Sequence, residues 1–492
     1  MRLSKHDKVN IHWTPKKGSN IPLYLQIVQY IAHQIQSGDW TVGDRLPSQR
    51  EMAILFGVNR STVVTAMEEL TAYGIIESDH GGGTRVSGGS WSLLMAQPPD
   101  WNKYIQSGSF RENKATIQTI NRVEAKTDYI RLSSGELAPE LYPQTLLADS
   151  FRKMPDRISS LNYLGPLGLP ELRRVLCERL QTEYQISVSP EHILITSGSL
   201  QALQLISLCM LKRGANAYTE TPSYLRSLQV FQSAGLQMHG VPMDEEGMLV
   251  DTLRATDMTN SMIYTIPTFQ NPTGRLMSPK RRVELLRFCR EKSIPLIEDN
   301  AYGALWLDSP PPAPLKAMDS GGNVLYLGTI SKTMAPGLRL GWCVGPEPVI
   351  YRLGDVKMQT DYGSSSVSQW LLTDLLSGSR YDDYLAKLRR QLCARRNHAL
   401  SVLDESFSDF ATWEKPAGGF YIWLRLKKRL PMEAIFRDAL AQGILINPGN
   451  VYDYAENHAI RLSYSYASPD EFRDSAGILA EILETYDKKT AR

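Results

Sequence analysis

Three apolar runs end in the same abrupt way. His192 to Ile195, Ser261 to Thr268 (S-M-I-Y-T-I-P-T) and Ile294 to Glu298 (I-P-L-I-E) are short, and each is followed at once by polar or turn residues. They lack the polar alternation that a wet face would impose, so they read as strands buried on both faces. Such strands belong to a mainly parallel sheet in an α/β architecture. An apolar-periodic helix follows the first of them, carried by Leu203, Ile206, Leu208 and Leu211. Ligands of open α/β sheets sit beyond the carboxyl ends of the strands. The candidate residues there are Ser199 and Leu200 after T-S-G-S, Asn271 in N-P-T-G, and Asp299 in E-D-N-A-Y-G.

Thr329 to Trp342 (T-I-S-K-T-M-A-P-G-L-R-L-G-W) places a lysine between a strand end and a Pro-Gly turn, with an arginine seven residues on. That is the layout of an anchor for pyridoxal phosphate. Lys332 would form a Schiff base with the cofactor aldehyde, which needs an amine partly deprotonated by burial and neighbouring positive charge. Arg339 offers a planar fork to the phosphate, and Thr329 and Ser331 add hydroxyl donors. The T-S-G-S turn at a helix start would present backbone N–H groups to phosphate oxygens. Asp299 would pair with the pyridinium nitrogen, so that the ring acts as an electron sink. Asn271 and Tyr302 would donate to the phenolate oxygen, and Tyr224, in E-T-P-S-Y, would stack on the ring. Taken singly, N-P-T-G is also a good β-turn, Asp299 a possible helix cap and Tyr224 a core residue. Their joint order favours the cofactor.

From about Tyr129 to the C-terminus the chain resembles fold-type I, class I aminotransferases, through S-G-S, P-S-Y, N-P-T-G, D-x-x-Y, S-K-x-x-x-P-G-L-R-L-G-W and I-R-L-S. The resemblance implies a large domain with a mainly parallel sheet and a smaller C-terminal α+β subdomain. It makes Lys332, Asp299 and Tyr224 the catalytic set. Arg461, in A-I-R-L-S-Y-S, resembles the arginine that forks a substrate α-carboxylate, with Asn271 beside it and Gly135 lining the region. Tyr163, in L-N-Y-L-G-P-L-G, resembles the tyrosine that reaches the phosphate of the neighbouring subunit's cofactor, which implies a homodimer arranged head-to-tail.

The first ninety residues carry a different pattern. Leu23, Ile27, Ile31 and Ile35 recur at four-residue spacing, the stripe of an amphipathic helix that ends at Gly38. Ser48 and Glu51 form a capping box for a second helix that stops at Gly57, and a third helix covers roughly Arg60 to Tyr73, burying Val63, Met67 and Leu70. Two short helices joined by a glycine turn make a helix-turn-helix. Ile75 to Val86, with its glycine tip, makes a β-hairpin wing. Leu46 to Ala53, Gly57 to Val63 and Gly81 to Val86 resemble the GntR-family strings L-P-S-x-R-x-x-A, G-V-x-R-x-T-V and G-x-G-T-x-V. Asn59, Arg60, Ser61, Thr62 and Thr65 lie at or near the start of the third helix, the part that would enter a major groove of double-stranded promoter DNA. Arg45, Ser48 and Arg50 would meet phosphates or base edges, and Gly82 and Gly83 would let the wing approach the backbone. Lys and Arg barely outnumber Asp and Glu in this stretch, so affinity would rest on placed arginines and a bivalent dimer.

At 492 residues the chain is too long for one core, and a net charge of +2 with 42% hydrophobic residues describes an ordinary globular protein. No apolar run approaches membrane-spanning length, and the polar start is no signal peptide. Cys177, Cys209, Cys289, Cys343 and Cys393 are odd in number and scattered, so neither disulfides nor a metal site is expected, and the cytoplasm of a bacterium is the expected compartment. The expected divisions are a tail (1–20), a winged helix-turn-helix (21–88), a linker (89–126) and an aminotransferase-like domain (127–492). Trp91, Leu93, Leu94, Trp101 and Tyr104 of the linker are expected to dock on a domain surface. The whole resembles the MocR/GabR branch of GntR regulators, in which the large domain senses pyridoxal phosphate or an amino compound. The alternative is a working aminotransferase with an accessory DNA module; partial transamination fits either.

Overall fold

In the computed structural model the described residues are 9–79, 83–87, 105–108, 112–158, 160–224, 229–254, 256–453, 455 and 458–490. The chain divides into two compact units, residues 1–108 and 109–492.

In the small unit α1 (Leu23–Gln36) buries Ile27, Ile31 and Ile35. They face Val63, Met67 and Leu70 of α3 (Arg60–Ala72) in one apolar cluster. Between them α2 (Gln49–Phe56) starts at the expected capping box, in which Ser48 Oγ accepts from the Glu51 amide and Glu51 from the Ser48 amide. It ends where Gly57 takes φ +64°, a left-handed turn that costs a residue without Cβ little. β1 (Ile76–Asp79) and β2 (Gly83–Val86) pair antiparallel as the wing, and Gly83 at its tip has φ +82°. The expected tip residue Gly82 lies outside the described residues. So do Trp91, Leu93, Leu94, Trp101 and Tyr104.

The first strand of the large unit is β3 (Ile130–Arg131). The unit then builds an eight-stranded sheet from β4 (Ile193–Thr196), β5 (Asn216–Thr221), β6 (Gln237–Asp244), β7 (Gly247–Met248), β8 (Ser261–Thr265), β9 (Leu296–Asp299), β10 (Val324–Thr329) and β11 (Gly341–Val344). The spatial order is β4-β11-β10-β9-β8-β5-β6-β7. β11 runs antiparallel to both neighbours, with Thr196 and Thr329 each opposite Gly341, and β7 is antiparallel to β6. The other six strands point one way and end on one edge. Every residue of β4, β8, β9 and β11 is buried, the both-sides burial that their unbroken apolar character predicts. The helix after β4, Ser199–Cys209, buries Leu203 and Ile206 as expected, but Leu208 is exposed and Leu211 lies beyond the helix. Ala202 and Leu205 fill those positions instead, because they fall on the stripe at 3.6-residue period.

A second sheet, β12 (Ala411–Thr412), β13 (Tyr421–Leu426), β15 (Asn447–Pro448) and β16 (Ala459–Ser463), is antiparallel, and β14 (Ile444–Leu445) pairs with β3. This is the smaller C-terminal subdomain. The helix Ala115–Val123 falls inside the stretch expected as linker. Ile117, Ile120 and Val123 are buried in the large unit's core, so chain up to residue 126 is not all tether.

Candidate functional site

The sheet edge where the six parallel strands end opens into a cavity of about 380 Å³. Lys332, three residues past β10, reaches across it to donate from Nζ to the Gly135 carbonyl at 2.8 Å. A Cβ on Gly135 would stand 2.8 Å from Tyr421 Oη and 3.4 Å from Lys332 Nζ, so the space beside the amine exists only because residue 135 has no side chain.

At one end lies an anion cradle. Arg339 returns on the far limb of the loop and donates from Nη2 to the Ser197 carbonyl at 3.1 Å. Its guanidinium lies against Gly198, where an added Cβ would meet Nη2 at 3.1 Å. Ser199 and Leu200 open the following helix; Ser199 Oγ is buried without a hydrogen-bond partner. Thr329 Oγ1 donates to the Leu340 carbonyl at 3.0 Å and lies 3.0 Å from Ser331 Oγ.

At the floor Asp299 ends β9. Its Oδ2 accepts from the Tyr264 hydroxyl at 2.8 Å, and its Oδ1 is buried without a partner. Burial pushes the Asp299 pKa up to about 6, although the Tyr264 hydroxyl, the Lys332 charge and the Ala301 amide all pull it down. Its unpartnered Oδ1 lacks a hydrogen-bond donor, which the N–H of a protonated pyridine ring would supply. Tyr302 Oη is 3.0 Å from Tyr421 Oη. Tyr224, whose amide donates to the Asn271 carbonyl at 2.9 Å, also lines the cavity, and burial pushes its phenol up to about 12.

At the opposite end stands a guanidinium. Arg461, from β16, is 5% exposed; Nη1 donates to Asn271 Oδ1 at 2.9 Å and Nη2 to the Ser133 carbonyl at 2.7 Å, leaving Nε unpartnered. Its Cζ lies 4.0 Å from the Tyr421 ring centroid and 4.9 Å from that of Tyr452. With its amide oxygen turned to Arg461 Nη2 at 2.8 Å, Asn447 donates to Ser133 Oγ and the Ile446 carbonyl, each at 3.1 Å. Asn271 therefore belongs to this end, facing the guanidinium.

The geometry thus brings Lys332, Asp299, Asn271, Tyr302, Tyr224, Arg339, Ser199, Leu200, Thr329, Ser331, Gly135 and Arg461 to one cavity. Tyr163 stays outside it, 82% exposed, with its ring 4.8 Å from that of Tyr362. Tyr264, Tyr421, Asn447 and Tyr452 escaped the sequence reading. Asn447 and Tyr452 sit in the turn-rich I-N-P-G-N-V-Y, whose punctuation after an apolar run was the signal available. The spare donors of the cradle, the unpartnered Asp299 oxygen and the space at Gly135 together fit pyridoxal phosphate: Arg339 and Ser199, with the Thr329 hydroxyl turned from Leu340, for its phosphate, Asp299 for the ring nitrogen, Lys332 for the aldehyde.

On the small unit Arg45, Arg50, Asn59, Arg60, Ser61 and Thr65 are exposed and Thr62 is half-buried. The first turn of α3 carries no acidic residue, and Thr65 Oγ1 donates to the Ser61 carbonyl at 3.1 Å. Ser48 is occupied as the cap of α2, which leaves its hydroxyl one role fewer to play toward DNA.

Residues 127–476 match the family Aminotransferase class I and II, and residues 23–86 match the bacterial regulatory proteins of the gntR family. The chain is 48% identical over 473 residues to YisV of Bacillus subtilis, named an uncharacterized HTH-type transcriptional regulator, covering 95% of this chain and 97% of that one. It is 34% identical to the HTH-type transcriptional regulator NorG of Staphylococcus aureus, covering 87% and 97%. Among solved structures, the Pyrococcus horikoshii kynurenine aminotransferase, in complex with PMP, superposes with a TM-score of 0.73 at 30% identity, covering 79% of this chain and 98% of that one. LysN of Thermus thermophilus, an alpha-aminoadipate aminotransferase complexed with N-(5'-phosphopyridoxyl)-L-leucine, gives 0.71 at 28%, covering 78% and 98%. Proteins of this aminotransferase fold depend on pyridoxal phosphate. The chain belongs to the gntR family of bacterial regulatory proteins, in the MocR/GabR-type branch that fuses the winged helix to an aminotransferase class I and II domain.

Proposed function

We propose that this protein is a cytoplasmic transcriptional regulator that grips promoter DNA with α3 and its wing, holds pyridoxal phosphate at Lys332, and responds to an amino compound in the same cavity. The observation that carries the reading is the convergence of Lys332, Asp299 and Arg461 on one cavity in a chain that also carries a helix-turn-helix. The cofactor, when bound, supplies an electron-withdrawing ring. Arg339, Ser199 and Thr329 bind its phosphate, Asp299 holds a proton at the ring nitrogen, and Arg461 with Asn271 orients a ligand carboxylate.

Regulation requires that the ligand bind two conformations of the chain with different affinity. In a head-to-tail dimer the exposed Tyr163 would serve the partner's cofactor phosphate, and two winged helices would address two separated half-sites. The test joins both units. Borohydride-reduced protein should carry its adduct on Lys332 by peptide mapping, Lys332→Ala should carry none, and an amino compound that changes the absorbance of the loaded protein should also change retardation of a promoter fragment. Multiple turnovers with an amino acid and a keto acid, together with no retarded fragment, would favour the enzyme reading instead.

A further inference from the structure

The cavity has a wall that does not come from the aminotransferase motifs. The helix Ala115–Val123 and the residues around it bring Asn113, Asn121 and Glu124 to the cavity. The wall is built in place, not loosely laid. Ile117, Ile120 and Val123 are buried beneath it, Lys114 Nζ donates to the Asn450 carbonyl at 3.0 Å, and Thr116 Oγ1 donates to the Glu433 carboxylate at 3.0 Å. Glu136, next to Gly135, adds a second carboxylate to the lining.

A charge inventory of the lining decides what ligand suits it. The cations are Lys332, Arg339 and Arg461, and the carboxylates are Asp299, Glu124 and Glu136. On the proposed function, Arg339 faces a phosphate, Lys332 is tied to the cofactor aldehyde, Asp299 faces a protonated ring nitrogen and Arg461 faces the ligand's carboxylate. Glu124 and Glu136 then remain, and neither forms an ion pair among the described residues. Both line the cavity that the ligand would fill. Burial is the largest influence on Arg461 and on Tyr224, and after the neighbouring tyrosines the Glu124 charge is a smaller one that acts on both. A neutral or acidic ligand would leave these carboxylates partly dehydrated without compensation, whereas a second cationic nitrogen would match them.

We infer that the effector is an amino acid with a distal cationic nitrogen, and that Glu124, on the segment leading from the DNA-binding unit, is the residue that selects it. The inference rests on the proposed function, since it takes the cavity to be an effector site and Arg461 to hold a carboxylate. It adds a match for a second charge on the ligand, and makes Glu124 a specificity residue carried by the first helix of the large unit.

The experiment uses full-length, cofactor-loaded protein and calorimetric affinities for L-lysine, L-ornithine, L-norleucine and L-glutamate. Wild type should bind lysine or ornithine at least roughly tenfold tighter than norleucine, in line with a hydrogen bond to a charged group. Glu124→Gln should remove that preference by weakening lysine and ornithine binding, while norleucine binds at least as tightly as to wild type and cofactor absorbance is kept. Glu124→Lys should shift preference to glutamate. Equal binding of lysine and norleucine, or an undiminished preference in Glu124→Gln, overturns the assignment and leaves the proposed function standing. Binding of none of the four by protein that still holds cofactor at Lys332 overturns the amino-acid effector, and this inference with it.

Discussion

Asp299 keeps one oxygen on the Tyr264 hydroxyl and the other without a partner, and burial raises its pKa to about 6. An unfolded aspartate ionises near 4, so between those values the folded chain binds the extra proton, and stability contributed at this site falls as pH rises from about 4 through about 6. Above that range the deficit is constant. Asp299→Asn should therefore flatten the fall in melting temperature of cofactor-free protein between pH 4 and 6.5, and an unaltered slope would show that the charge is not strained. Gly135→Ala tests the floor: a methyl 2.8 Å from Tyr421 Oη must displace that hydroxyl from Tyr302, and overpacking of about 1–3 kcal/mol should appear as weakened cofactor retention in dialysis. Lys332, Arg339, Asn271 and Asp299 were legible because each lies in a local string whose residue types the chemistry demands. Asn447, Tyr421 and Tyr452 were not, since β13, β15 and the turn after it reach the guanidinium only through sheet pairing, and no spacing along the chain records that.

The helices of the small unit were legible for a different reason, their caps and stripes being written within a few residues. Ser48→Ala removes the hydroxyl half of the capping box, leaving the Glu51 carboxylate on the backbone amide of residue 48, and should cost the small unit about 1 kcal/mol. Leu70→Ala, fully buried between α1 and α3, should cost about 2–5 kcal/mol and abolish promoter retardation at physiological temperature while cofactor absorbance persists. Arg60→Ala should lower affinity with little loss of stability and reduce the slope of log K against log salt by about 1, if its guanidinium meets a phosphate. The helix Ala115–Val123 was read as linker because its cues are tertiary. It has no side-chain cap at Lys114 and only three buried apolar residues, so a peptide of that length would be mostly unfolded in water until packed on the large unit.

At the scale of the molecule the two units have separate cores, so a ligand of one need not stabilise the other. Pyridoxal phosphate at a hundredfold over its Kd should raise the large unit's stability by about 2.7 kcal/mol and leave the small unit's calorimetric transition where it was. Movement of both transitions together would mean that the units unfold as one. The reversed strand β11 has its own consequence. Because Thr329 sits opposite Gly341, the loop bearing Lys332 and Arg339 is clamped at both feet by one ladder rung. Its side chains can be exchanged as far as their chemistry allows, but its length cannot: deleting a single residue between the lysine and the arginine would swing one of them off the cavity, with no slack in either strand to absorb the difference. For anyone re-engineering this protein, the loop is a caliper set to one gap.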